Sequence, residues 1–246
     1  MTTFALQKQI QKFMSFGQRV IRFHEQLSYS GSALPEGIGV INPFAESTTA
    51  MDNLKAFANR YLDDNNQRRI ILGINPSRLG AGVTGVPFTD TKRLVGECKI
   101  PYNGKPTHEI SSVFIYEMIN AFGGVSDFYS RFYINSPFPL AITKTNPEGK
   151  QINYNYYDSA ALTKAVYPFI VQSMGQLVDL GIATDTCFCL GTGKNASFLQ
   201  QLNQEHGFFG EIIPLEHPRF IMQYKSAAKS LYIEKYIRVL GAIDRA

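Results

Sequence analysis

The 246-residue chain contains no tryptophan and only three cysteines, Cys98, Cys187 and Cys189. So sparse and odd a count argues against a disulfide framework and suits a reducing compartment. It also falls short of the four thiolates that an iron–sulfur cluster usually takes. Cys187 and Cys189 sit two apart in the apolar run CFCL. On a strand that spacing turns both to one face, so they read as core rather than as metal ligands. Long apolar runs are missing too: no stretch approaches the roughly 20 residues of a membrane span. The N-terminal MTTFALQKQIQKF places charges and glutamines where a secretory leader needs an unbroken apolar segment. A cytoplasmic protein without membrane association is therefore expected. Charged residues are a lean 18%, with a net charge of +4 and a pI near 8.9. A mild basic excess favours nucleic acid or other acidic partners without identifying one.

Apolar residues make up 44% of the chain, enough to bury one large core. Nothing in the composition marks a boundary, so residues 1–246 read as a single domain. Residues 4–28 mix Phe4, Ile10, Phe13, Val20, Phe23 and Leu27 with basic residues at amphipathic helical spacing. The following GSALPEGIGVINPFAE, residues 31–46, is rich in Gly and Pro and reads as irregular connection. Helical spacing returns at 48–63, 109–122, about 158–180, 194–205 and 226–240. Between these helices lie four short apolar strands at 69–73, 131–134, 186–190 and 211–215. Strands alternating with helices indicate an α/β fold, a mainly parallel sheet covered on both faces. The stretch 80–108 is the longest irregular piece, and loops of that length are usually functional or mobile.

The polar residues at the strand ends carry the functional signal. Asn75, Asn135 and His217 each follow a buried strand. In open parallel sheets, ligands bind beyond the carboxyl ends of the strands. Three strands therefore aim two amides and an imidazole at one edge. The first of them opens the run GINPSRLGAGVTGVPF, residues 73–88. Pro76 ends the strand, the glycines at 80, 82 and 85 let backbone approach a ligand, and Phe88 offers a flat face. That set suits a planar ring held by stacking, with Asn135 donating and accepting at its edge.

The same run resembles motif 1 of the single-strand-selective monofunctional uracil-DNA glycosylases, which has Gly-Met-Asn-Pro-Gly and then Thr-Gly-Val-Pro-Phe at this spacing. Ile41-Asn42-Pro43 is similar to that family's Tyr-Asn-Pro. Tyr133-Ile134-Asn135 resembles its central strand, and His217-Pro218 the start of its His-Pro-Ser-Pro-Arg motif 2. The matches run from about residue 24 to 220. The resemblance implies a three-layer α/β/α sandwich around a four-stranded parallel sheet, and a DNA glycosylase of base excision repair. By the same resemblance Asn75 positions the attacking water and His217 hydrogen-bonds O2 of the leaving base. Phe88 stacks on the base, Asn135 pairs with its edge, and Ile74 and Ser77 line the pocket beside them. No Asp or Glu stands at position 75 to activate water strongly, and no Lys stands in the motifs to form a Schiff base. A simple hydrolase, monomeric and without metal or cofactor, is expected to act on DNA.

Two departures bear on substrate choice. Ser77 stands where the family commonly has Gly, and motif 2, whose loop wedges into the DNA stack, is shortened to His217-Pro218-Arg219. A preference for xanthine, hypoxanthine or 5-hydroxymethyluracil over uracil is one alternative. Another is a module that keeps the fold and binds damaged DNA without cleaving it. Residues 217–238 carry Arg219, Lys225, Lys229, Lys235 and Arg238 against Glu234 alone. Arg219, Lys225 and Lys229 are the expected phosphate contacts. His24, His108 and His206 have no convergent partners in the pattern and read as structural. Gly191-Thr192-Gly193-Lys194 lacks the spacing of a phosphate-binding P-loop and reads as a strand-to-helix turn.

Overall fold

Ile70, Ile71 and Leu72 are consecutive and all buried. Successive strand residues point to opposite faces, so this strand is covered on both sides. The computed structural model describes residues 13–243 and shows what covers it. Its first elements are helix α1 (Phe16–Glu25), strand β1 (Ile38–Ile41), and helices α2 (Pro43–Glu46) and α3 (Thr48–Tyr61). Strand β2 (Arg69–Leu72) follows, then helices α4 (Ala81–Thr84), α5 (Thr91–Gly96), α6 (Ile110–Phe122) and α7 (Val125–Arg131). Strands β3 (Phe132–Asn135), β4 (Ala141–Thr145) and β5 (Gln151–Asn153) lead into helix α8 (Ala160–Asp179). The chain continues through β6 (Ala183–Leu190), α9 (Lys194–His206), β7 (Glu211–Leu215), α10 (Pro218–Tyr224) and α11 (Lys229–Ile243).

The central sheet is parallel with strand order β3-β2-β6-β7. Helices lie on both sides of it, giving the α/β/α layering expected from the alternation of strands and helices. The four strands fall where the apolar runs place them, within a few residues. Cys187 and Cys189 are fully buried and unpaired. The strand ends are locked in register: Leu72 lies opposite Asn135, and the Gly73 N–H donates to the Asn135 carbonyl at 2.8 Å. Asn135 thus ends its strand level with Leu72, Asn75 lies three residues further out, and β7 brings His217 out at the same edge.

Other expectations need correction. The predicted helix at 4–28 is described only from Phe16 to Glu25, started by a capping box between Ser15 and Gln18; residues 4–12 lie outside the described residues. The stretch 31–46 is not irregular throughout. It holds β1 and α2, and β1 pairs antiparallel with β4, which pairs with β5, making a second sheet. The stretch 80–108 contains α4 and α5, the latter started by Asp90, whose carboxylate accepts from the Arg93 N–H at 2.9 Å. The basic segment after β7 is split between α10 and α11, both packed on α6.

Candidate active site

A cavity of about 320 Å³ opens beyond the carboxyl ends of the central strands, within the size range of small-molecule sites. Ile74, Asn75, Ser77 and Phe88, from the end of β2 and the loop after it, line this cavity; so do His217, Arg219, Phe220 and Tyr224, from α10 and its cap. Asn153 at the end of β5, Asn155 and Tyr157 just after it, and Glu109, Ser111 and Ser136 complete the lining.

Asn75 is held by a distant part of the chain. Its Nδ2 donates to the Tyr154 carbonyl at 3.1 Å, and its Oδ1 accepts from the Tyr156 N–H at 3.3 Å. An amide oxygen has two lone pairs, so one stays available to orient a water. Behind Asn75, the buried Tyr156 hydroxyl donates to Oδ1 of Asn195, whose Nδ2 reaches the Gly73 carbonyl at 3.3 Å and the Leu190 carbonyl at 3.0 Å. This network ties the ends of β2 and β6 to the segment that clamps Asn75.

Phe88 sits at φ 51°, a region that costs a residue with a side chain on the order of 1 kcal/mol. Its ring takes the space beside Gly73, where an added Cβ would lie 2.9 Å from the Phe88 Cε2. The ring centroid is 5.8 Å from that of His217, with the planes 48° apart. Stacking surface and imidazole therefore share one cavity.

His217 is the N-cap of α10, and its Nδ1 accepts from the Arg219 N–H at 3.1 Å. A neutral imidazole with Nδ1 accepting carries its proton on Nε2, so Nε2 is a donor. Burial, reinforced by the Arg219 charge, pulls the imidazole pKa from 6.5 down to about 4. The ring is neutral at physiological pH and already in the donor tautomer.

The other predicted residues are placed less simply. Asn135 is only 2% exposed and does not line the cavity. Its Nδ2 donates to the Tyr133 hydroxyl at 2.8 Å, and its Oδ1 accepts from the Ser136 N–H at 2.8 Å; Ser136 is the residue that reaches the wall. Ser77 lines the cavity, and its Oγ accepts from the Gly80 N–H at 3.0 Å. Arg219 is exposed at the mouth and Lys225 is exposed at the end of α10. Lys229 is half-buried, and its Nζ is paired with Glu117 on α6 at 2.5 Å. Lys235 is likewise paired with Glu216 at 2.7 Å.

Sequence reasoning missed Glu109, Tyr156, Asn195, Phe220 and Tyr224. The alternating NYNYY run, residues 153–157, is the signal that would have drawn attention to that part of the lining. Asn195 follows the Gly-rich turn after β6 and has no sequence signal of its own.

The sequence profile of the uracil DNA glycosylase superfamily matches residues 60–241. The chain belongs to that superfamily. It is also similar to the crystal structure of wild-type SMUG2 from Pedobacter heparinus, at 57% identity, over 95% of this chain and 100% of that one, with a TM-score of 0.93. No curated protein matches the chain. The protein is a DNA glycosylase, a base excision repair hydrolase with DNA as its substrate. No described helix of this glycosylase is long and apolar enough to cross a membrane.

Proposed function

We propose that this glycosylase extrudes a deaminated base from DNA into the 320 Å³ cavity and hydrolyses its N-glycosidic bond as a monomer. One observation carries the reading: Asn75, Phe88 and His217, whose Nδ1 accepts from the Arg219 N–H and so leaves the proton of a neutral ring to Nε2, line a single cavity. Breaking the bond leaves negative charge on the base and positive character on the sugar. The Nε2–H donates to a carbonyl oxygen of the base as that charge develops, in a geometry set before the reaction begins. Oδ1 of Asn75 holds the water that attacks the sugar. Phe88 stacks on the extruded ring. Edge reading by Asn135 requires its amide to exchange Tyr133 and Ser136 for the base. Arg219 and Lys225 meet the phosphates at the mouth.

Uracil, hypoxanthine and xanthine all carry a carbonyl beside a ring nitrogen and suit this donor. The test is release from oligonucleotides holding one such base, read as strand cleavage after alkali. Cleavage at the marked position is expected for at least one of them; none at enzyme excess overturns the reading.

A further inference from the structure

Glu109 has no task in the hydrolysis just described, although it lines the same cavity as Asn75, Phe88 and His217. It occupies the N-cap position of α6, yet its side chain makes no capping hydrogen bond. Its backbone N–H is fixed by the Asp90 carboxylate at 2.7 Å. The carboxyl lies on the pocket wall instead, where the Ser112 hydroxyl donates to Oε2 at 3.4 Å and Ser77 also hydrogen-bonds it. Gly80 leaves the space it needs: a Cβ there would lie 2.1 Å from Oε2.

An ionised carboxylate on this wall would oppose the reaction, because the departing base gains negative charge and like charges repel. A neutral carboxyl has the opposite effect, since it carries a donor. We propose that Glu109 reads the extruded base as a neutral carboxyl, donating a hydrogen bond to a carbonyl oxygen or an unprotonated nitrogen on the ring edge. This rests on the glycosylase reading of the cavity. Burial lifts the Glu109 pKa above the ordinary carboxyl value; Ser77 and Ser112 oppose the shift, Asp90 adds to it and Arg219 opposes it. A base in the cavity removes more water, and a phosphate that engages Arg219 offsets an opposing charge, so both changes favour the neutral form. Ser77, which replaces the family's common Gly, then bears on base choice through the acid it contacts.

The test compares kcat/KM on oligonucleotides bearing a single uracil, hypoxanthine or xanthine. Glu109→Gln keeps a donor without the acid, and Glu109→Met keeps the length without a donor. The Gln variant is expected to stay within about threefold of the parent, and the Met variant to lose about 10- to 100-fold on the best base, the range for one strong hydrogen bond. The loss is expected to differ among the three bases, which a purely structural role would not produce. Ser77→Gly leaves Glu109 in place and is expected to change the order of the bases, a second readout if the Met variant fails to fold. A Gln variant as impaired as Met, a common loss on all three bases, or an unchanged base order in Ser77→Gly overturns the proposal. A parent enzyme that releases none of the three overturns the glycosylase reading itself.

Discussion

Asn75 and His217 face one cavity, but the first is fixed by atoms some 80 positions along the chain and the second by its neighbour two residues on. The Asn75 wall hangs from buried strand ends and the small sheet, cross-linked through Tyr156 and Asn195. The His217 wall is a seven-residue helix with exposed aromatics, Phe220 at 41% and Tyr224 at 65%. Precision on the first side is a property of the whole fold. On the second it is a property of one helix terminus, and the face of that helix turned away from α6 is exposed.

Removing either of the side chains proposed to act in catalysis is the strongest way to break the comparison. His217→Ala is expected to slow base release about 10²–10³-fold, the usual loss for one preorganised donor. Asn75→Ala is expected to act on kcat as well, while Kd for damaged DNA stays within about threefold. If both variants cut at the parent rate, the pair is misassigned.

The imidazole's neutrality gives the next largest effect. At pH 6, nitrogen NMR should show His217 neutral with its proton on Nε2; a doubly protonated ring would remove the basis for its assigned role. His24 is buried, bonded through Nδ1 to the Val20 carbonyl at 2.8 Å, and also lowered by burial to about 4. Unfolded, each histidine takes up a proton near 6.5; folded, only near 4. The linked stability is therefore present above pH 6.5 and lost as pH falls towards and through 4, by about 3 kcal/mol for His24. Urea unfolding at pH 7 and 4.5 tests the slope, which His24→Gln should reduce.

Tyr156→Phe probes the Asn75 side alone. It strands Oδ1 of Asn195, with an expected cost of about 1–2 kcal/mol in stability and a fall in kcat up to about tenfold. The His217 nitrogen shifts should not move. A variant with parent kcat would show that Asn75 needs no such support.

The smallest effect separates two lysines that the sequence does not distinguish. Lys225→Ala should lower the slope of log K against log salt by up to about 0.9 on duplex DNA. Lys229→Ala should leave the slope unchanged and cost stability instead, because Lys229 is paired with Glu117. Equal slopes for Lys225→Ala and the parent would move the phosphate track elsewhere.

What was legible follows the same division. Apolar runs ending in Asn-Pro or His-Pro declare parallel strands and the edge beyond them, so the buried β2, the half-buried β7 and the placing of Asn75 and His217 beside one cavity were readable. The second sheet was not: β1 lies among Gly and Pro, and the Gln-Ile-Asn of β5 is exposed, so neither shows a buried alternation. The depth of Asn135 was hidden because a strand's end does not reveal whether its last side chain reaches the cavity or stays beneath it. Glu117 lies 112 residues before Lys229, and only the packing of α11 on α6 brings them together.

Because His217 caps α10, the imidazole and the exposed rings of Phe220 and Tyr224 ride on one rigid lever. Whatever tilts that helix during docking also re-aims the donor. On the proposed reading, grip on the nucleic acid and turnover would be mechanically geared, and a substitution of Phe220 chosen to alter affinity is expected to register in kcat as well.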